Sequence, residues 1–86
     1  MTKYNIEIKK SAAKEIKNLP NEIIKRIIVK LDELAINPRG KDSLKLTSDD
    51  KYRVRVGNYR ILYQIFDDNL VVIVVKVAHR KSSYTQ

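Results

Sequence analysis

Tyr52-Arg53-Val54-Arg55-Val56-Gly57-Asn58-Tyr59-Arg60-Ile61-Leu62-Tyr63-Gln64-Ile65-Phe66 is the stretch whose reading decides the fold. Tyr52 to Val56 alternates strictly between apolar and basic residues, the two-residue period of a strand with one buried face. Gly57-Asn58 supplies a tight turn, so Tyr59 to Phe66 returns as an antiparallel partner. Strand parity then sorts the side chains. Tyr52, Val54 and Val56 share a buried face with Tyr59, Ile61, Tyr63 and Ile65. Arg53 and Arg55 share the opposite face with Arg60, Leu62, Gln64 and Phe66.

Downstream, Asp67-Asp68-Asn69 reads as a second hairpin turn, followed by an apolar strand from Leu70 to Ala78. Its richness in Val makes it the expected central strand. Val71, Ile73, Val75 and Val77 form its expected core set, which puts Lys76, Ala78 and Arg80 on the arginine face. Four arginines and a lysine from three neighbouring strands thus converge, with no acidic residue among them. Like charges so placed repel unless an anion compensates them, and the guanidinium fork suits phosphate. A solvated basic sheet face is the plainer alternative. Tyr84, four residues beyond Arg80, either stacks on a base or docks on the body of the fold.

Upstream, Tyr4 to Lys9 alternates as a half-buried strand. Ser11 stands as the N-cap of a short helix that ends at Leu19-Pro20, since the residue before proline disfavours helical backbone. From Asn21 a second helix carries Ile23, Ile24, Ile27, Ile28, Leu31, Leu34 and Ala35 as one apolar stripe. Asn37-Pro38-Arg39-Gly40 ends it, and a short strand is expected at Leu44–Leu46 within the following loop. Strand, two-helix hairpin and antiparallel meander make an α+β fold. Both helices cover one sheet face and the other is left open.

The 86 residues carry 18 Lys+Arg against 10 Asp+Glu, a formal charge of +8. That length gives one domain, 1–86, with a thin stability margin. The absence of cysteine excludes disulfides, thiolate nucleophiles and cysteine metal sites, and one His leaves too few soft ligands for zinc. No apolar run approaches a bilayer span, and the first residues lack a signal core, so a cytoplasmic, membrane-free protein is expected. The charge points to a polyanionic partner, nucleic acid first.

The run from Tyr52 to Tyr63, closed by Val77-Ala78-His79-Arg80-Lys81-Ser82-Ser83-Tyr84, resembles the RelE branch of the RelE/ParE superfamily, toxins of type II toxin–antitoxin systems. Element order and the Leu19-Pro20 break extend the resemblance to nearly the whole chain. It implies a RelE-like, microbial-ribonuclease-like fold and a metal-independent endoribonuclease (mRNA interferase) that cuts mRNA in the ribosomal A site. It also implies a cognate antitoxin whose acidic segment wraps the toxin. By resemblance, Arg53 and Arg55 take the two basic positions of the first meander strand. Arg60 takes that of the transition-state arginine, Arg80 the C-terminal catalytic arginine, and Tyr84 the base-stacking tyrosine. Lys51, Lys76 and Lys81 complete the expected RNA contacts.

Such cleavage needs the 2′-OH deprotonated, the phosphorane charge offset and the 5′ oxygen protonated. Arginines supply the second need. They serve poorly as the base, because a guanidinium keeps its proton. His79 is the one side chain that ordinarily titrates near neutrality. Its parity groups it with Val75 and Val77 towards the helices, so a structural role stands beside the catalytic one. Asp49-Asp50 and Asp67-Asp68 fall at turns, where Asp is favoured for backbone reasons, so no metal or other cofactor is expected. Lys14, Lys17, Lys25 and Lys30 read as a solvated helix face that could also meet rRNA. The alternative function on the same scaffold is a ParE-like inhibitor of DNA gyrase without nuclease activity.

Overall fold

A computed structural model describes residues 3–46 and 50–79. The elements run β1 (Asn5–Ile8), α1 (Lys10–Lys17), α2 (Asn21–Ile36), β2 (Leu44–Lys45), β3 (Lys51–Val56), β4 (Tyr59–Phe66) and β5 (Val71–His79). They form one sheet in the order β1-β5-β4-β3-β2. Pairing is antiparallel except at β1, which lies parallel to β5 because the two helices carry the chain across between them. The expected meander, strand and helix pair are all present. β4, flanked by β5 and β3, is the middle strand of the five, and Val-rich β5 lies one place off centre.

Hairpin β3–β4 closes on two residues with Val56 opposite Tyr59. Gly57 has φ 58°, a conformation a Cβ would strain. The β4–β5 turn is one residue longer than its Asp-Asp-Asn core suggests. Leu70 belongs to it at φ 53°, and its amide donates to the Asp67 carbonyl. α1 begins at Lys10 with Lys9 as its N-cap and no side-chain cap, so Ser11 lies inside the first turn rather than before it. Lys14 and Lys17 fall in its last turn, where they oppose the helix dipole favourably.

The core joins Ala12 of α1 and Ile27, Leu31 and Leu34 of α2 to Val54, Val56, Ile61, Tyr63, Val72, Val74 and Val77 of the sheet. Both helices therefore cover one face. Tyr63 is wholly buried, and its hydroxyl donates to the Pro38 carbonyl at 2.7 Å. This bond holds the loop after α2 against the sheet. The α2 stripe is narrower than its periodicity predicts, since Ile28 is 53% exposed. Lys30 is half-buried, not solvated, and its ammonium bridges Glu33 at 3.0 Å and Asp42 at 3.1 Å.

β5 departs most from its sequence reading. Val72 and Val74 are buried, while Val71, Ile73 and Val75 are not. The register explains the reversal. Leu62 lies opposite Lys76 but Tyr63 opposite Val74, so Val75 is an extra residue on β5. A bulge of this kind moves every following side chain to the other face. Val77 thereby enters the core in phase with Val72 and Val74, and Lys76 is turned to the open face.

Candidate functional site

Register builds the site. In β3, Arg53 and Arg55 alternate with buried Val54 and Val56. Across the ladder Arg55 lies directly opposite Arg60 and Arg53 opposite Leu62. On the other side of β4, Leu62 faces Lys76 and Arg60 faces Ala78. Directly paired residues point to the same side, with Cβ atoms about 4.5–5.5 Å apart. Arg53, Arg55, Arg60 and Lys76 thus share the face turned away from the helices. Lys51, two residues before Arg53 and opposite Gln64, continues it.

Exposure differs among these cations. Arg55 is exposed, whereas Arg53, Arg60, Lys51 and Lys76 are half-buried. Two guanidinium groups directly across a ladder repel each other. The guanidinium fork is also the side-chain geometry that donates two hydrogen bonds to a phosphate.

An acidic residue does reach the set. Glu15 of α1 accepts from the Lys76 ammonium at 3.1 Å and from the Val77 amide at 2.9 Å. β1 pairs with β5 only as far as Val74, so the β5 edge beyond it has no neighbouring strand. Glu15 fills that gap and holds Lys76 at the rim. It is the one acidic residue of α1, among Lys10, Lys14 and Lys17, and that isolation was its signal in the sequence. Parity within strands could not show a partner arriving from a helix.

His79 ends the described part of β5, opposite Tyr59. Its ring meets Tyr59 edge-to-face, with centroids 5.2 Å apart at 86°. Tyr59 alternates with Arg60, so His79 lies out of phase with the arginine face. Arg80, Lys81 and Tyr84 lie outside the described residues, as does Asp49.

Asp67 is engaged away from this face. Arg39 grips its carboxylate with both terminal nitrogens, at 3.0 and 2.8 Å, and the Tyr4 hydroxyl donates at 2.7 Å. Those hydrogen bonds, Arg39 first, lower its pKa to about 2. The same contact raises the Tyr4 pKa, since ionising the phenol would remove its hydrogen bond to Asp67. Arg39 also donates to the Tyr52 hydroxyl at 3.2 Å. This network ties β1, the α2–β2 loop, β3 and the β4–β5 turn together. Asp67 serves structure there, as its turn position suggested.

Comparison with known proteins bears on this arrangement. Residues 6–84 match the family described as ParE toxin of type II toxin-antitoxin system, parDE. Toxin RelE3 of Methanocaldococcus jannaschii is 37% identical over 81 residues, covering 87% of this chain and 89% of the relative. The chain belongs to the RelE branch of the RelE/ParE toxin superfamily. The mRNA interferase toxin RelE of Escherichia coli K12 is 28% identical over 82 residues, covering 93% of this chain and 86% of that protein. RelE in the archaeal RelE–RelB complex from Pyrococcus horikoshii OT3 has the same fold, at TM-score 0.79 and 30% identity, covering 93% and 97% of the two chains. The ParE toxin family match over residues 6–84 includes every residue of the arginine face and, in sequence, Arg80, Lys81 and Tyr84.

Proposed function

We propose that this RelE-branch toxin is an endoribonuclease that cuts mRNA in the ribosomal A site, with the arginine face as its active site. The observation that carries this reading is the register: Arg55 lies opposite Arg60, with Arg53 and Lys76 beside them on the uncovered side of the sheet. The kinship with an E. coli protein named mRNA interferase supports the substrate class.

The reaction follows from the side chains. The RNA 2′ oxygen gives up its proton to water and bonds to the adjacent phosphorus. The bond from phosphorus to the 5′ oxygen then breaks, leaving a 2′,3′-cyclic phosphate, and the 5′ oxygen takes a proton from water. Between these events the phosphorane carries an additional negative charge. Arg55 and Arg60 converge from facing strands on the place where that charge develops, and the family resemblance assigns the C-terminal catalytic role to Arg80. Fixed cations at such a point stabilise a transition state by about 3–4 kcal/mol each. Arg53, Lys51 and Lys81 hold flanking phosphates, while Tyr84 stacks on a base. His79 supports the strand end against Tyr59. Base catalysis is weak in this constellation, and positioning of the mRNA by the ribosome compensates.

The arginines replace a metal in this scheme, so at the magnesium level that keeps the ribosome intact, cutting at a phosphorothioate linkage should gain nothing from added manganese. Rescue of that linkage by manganese would contradict it. The natural inhibitor is a cognate antitoxin with an acidic segment, by analogy with the RelB bound to RelE in the P. horikoshii complex. The site of action is the cytoplasm, where translating ribosomes are.

Primer extension on mRNA from cells briefly expressing the chain tests the reading. Cuts within translated codons are expected. The matching family is described as ParE toxin, and the competing activity on this scaffold is inhibition of DNA gyrase. Intact mRNA together with blocked DNA supercoiling would establish that activity instead.

A further inference from the structure

β2 covers β3 only at Tyr52 and Arg53, so Val54 to Val56 form an open sheet edge beside α2. Between that edge and the helix lies a groove of about 330 Å³ lined by Lys25, Arg26, Val29, Lys30 and Glu33 of α2 and by Arg55, Val56 and Gly57. Leu46 donates its amide to the Lys51 carbonyl, which turns the odd-numbered backbone groups of β3 towards the β2 side. The Arg55 amide therefore faces outward, where no strand among the described residues covers it. Lys25, Arg26 and Arg55 form no ion pair among the described residues, whereas Lys30 is held by Glu33 and Asp42. A Cβ at Gly57 would stand 3.2 Å from an Arg26 guanidinium nitrogen. The absent side chain thus lets Arg26 lie against the turn.

We infer that this groove is a second RNA-binding surface, adjoining the cleavage face at Arg55, and that it takes backbone phosphates at Lys25 and Arg26. Four of its eight lining residues are cationic and one is acidic. Charge of this density, next to outward amide and guanidinium donors, recognises phosphate rather than an apolar anchor. Arg55 belongs to both surfaces, so the β3–β4 tip carries cations on its two sides. The phosphates come either from the cut strand continuing round the tip or from a separate folded RNA such as rRNA. An acidic peptide is the competing occupant. This inference rests on the nuclease reading for its biological sense, but its test does not require cleavage.

The probes are a duplex RNA and a single strand of equal length, both 2′-O-methylated so that no nucleophile is present for cutting. The full chain and its Lys25→Gln/Arg26→Gln variant are titrated by fluorescence anisotropy over a range of salt. Losing two phosphate contacts should reduce the slope of log K against log salt by about 1.8 on the duplex, or about 1.4 on the single strand. A duplex effect assigns the groove to a folded RNA, and a single-strand effect to the strand being cut. Unchanged slopes on both RNAs would overturn the inference. So would a variant that loses affinity only for a polyglutamate peptide. Lys25→Glu alone, at an exposed helix position, is the second variant should the double substitution fold poorly. It should weaken RNA binding with an unchanged circular dichroism spectrum, and unaltered RNA affinity would again overturn the groove. The nuclease reading fails separately, if unmodified mRNA stays intact while the groove variant still lowers the salt slope.

Discussion

Tyr63 and Asp67 show how single side chains hold the loop after α2 in place. The Tyr63 hydroxyl is the donor for the Pro38 carbonyl inside the core. Tyr63→Phe keeps the ring but strands that acceptor, so it should cost about 1–3 kcal/mol. Urea unfolding measures this, and an unchanged midpoint would show the bond to be dispensable. Asp67 makes its contribution as an anion. Its pKa is lowered to about 2 from an ordinary value of 3.8, so the contribution is complete above the unfolded value and is lost as pH falls from about 4 through 2. Thermal melts from pH 5 to 2 should therefore fall more steeply for the native chain than for Asp67→Asn. Parallel curves would remove Asp67 from the account. The pair is exposed to solvent, so the difference should shrink in high salt.

Among the elements, β3 and β4 were readable residue by residue. Strict alternation and a two-residue turn leave no freedom of register, and Arg53, Arg55 and Arg60 lie together as parity requires. β5 was readable only as a strand. Seven of its nine residues are Val, Ile or Ala, so no polar residue before Lys76 marks which face is inward. The phase is set instead by the bulge at Val75, which arises where β5 must meet β1, β4 and α1 together. Ser11 misled for a related reason. Cap preference is a local tendency, and Lys9 is already tied to Val74 through its amide, which fixes where α1 starts. The Glu15–Lys76 contact spans 61 residues and left no local pattern beyond a lone acid among lysines. The bulge carries its own prediction. Deleting Val75 removes the extra residue, so Val74, Lys76 and Val77 should still lie opposite Tyr63, Leu62 and Ile61, with Lys76 on the open face. The variant should therefore fold with an unchanged circular dichroism spectrum and a urea midpoint close to the native one. A variant that fails to fold would show that the bulge itself is needed where β5 meets α1.

At the scale of the whole molecule, the helices and the sheet divide the work. One sheet face is packed against α1 and α2, so the stability of a short chain rests almost entirely there. The other face is released for charge. A formal +8 on 86 residues is general attraction for any polyanion, but Arg53, Arg55, Arg60 and Lys76 gather part of it on one sheet face, the array proposed above to bind phosphate. The family match runs over residues 6–84. Which arginine meets which phosphate oxygen was not legible in the sequence, because the answer depends on strand twist and on the RNA itself.

The central claim is that Arg60 stabilises the transition state of RNA cleavage from the open face. The most direct measurement is single-turnover cutting of ribosome-bound mRNA by the native chain, Arg60→Ala and Arg60→Lys, with melting temperature followed alongside. The account predicts that Arg60→Ala slows cutting by about 10²–10³-fold. Lys should restore part of the rate, and all three proteins should melt alike. Native cutting rates in a folded Arg60→Ala variant would contradict it.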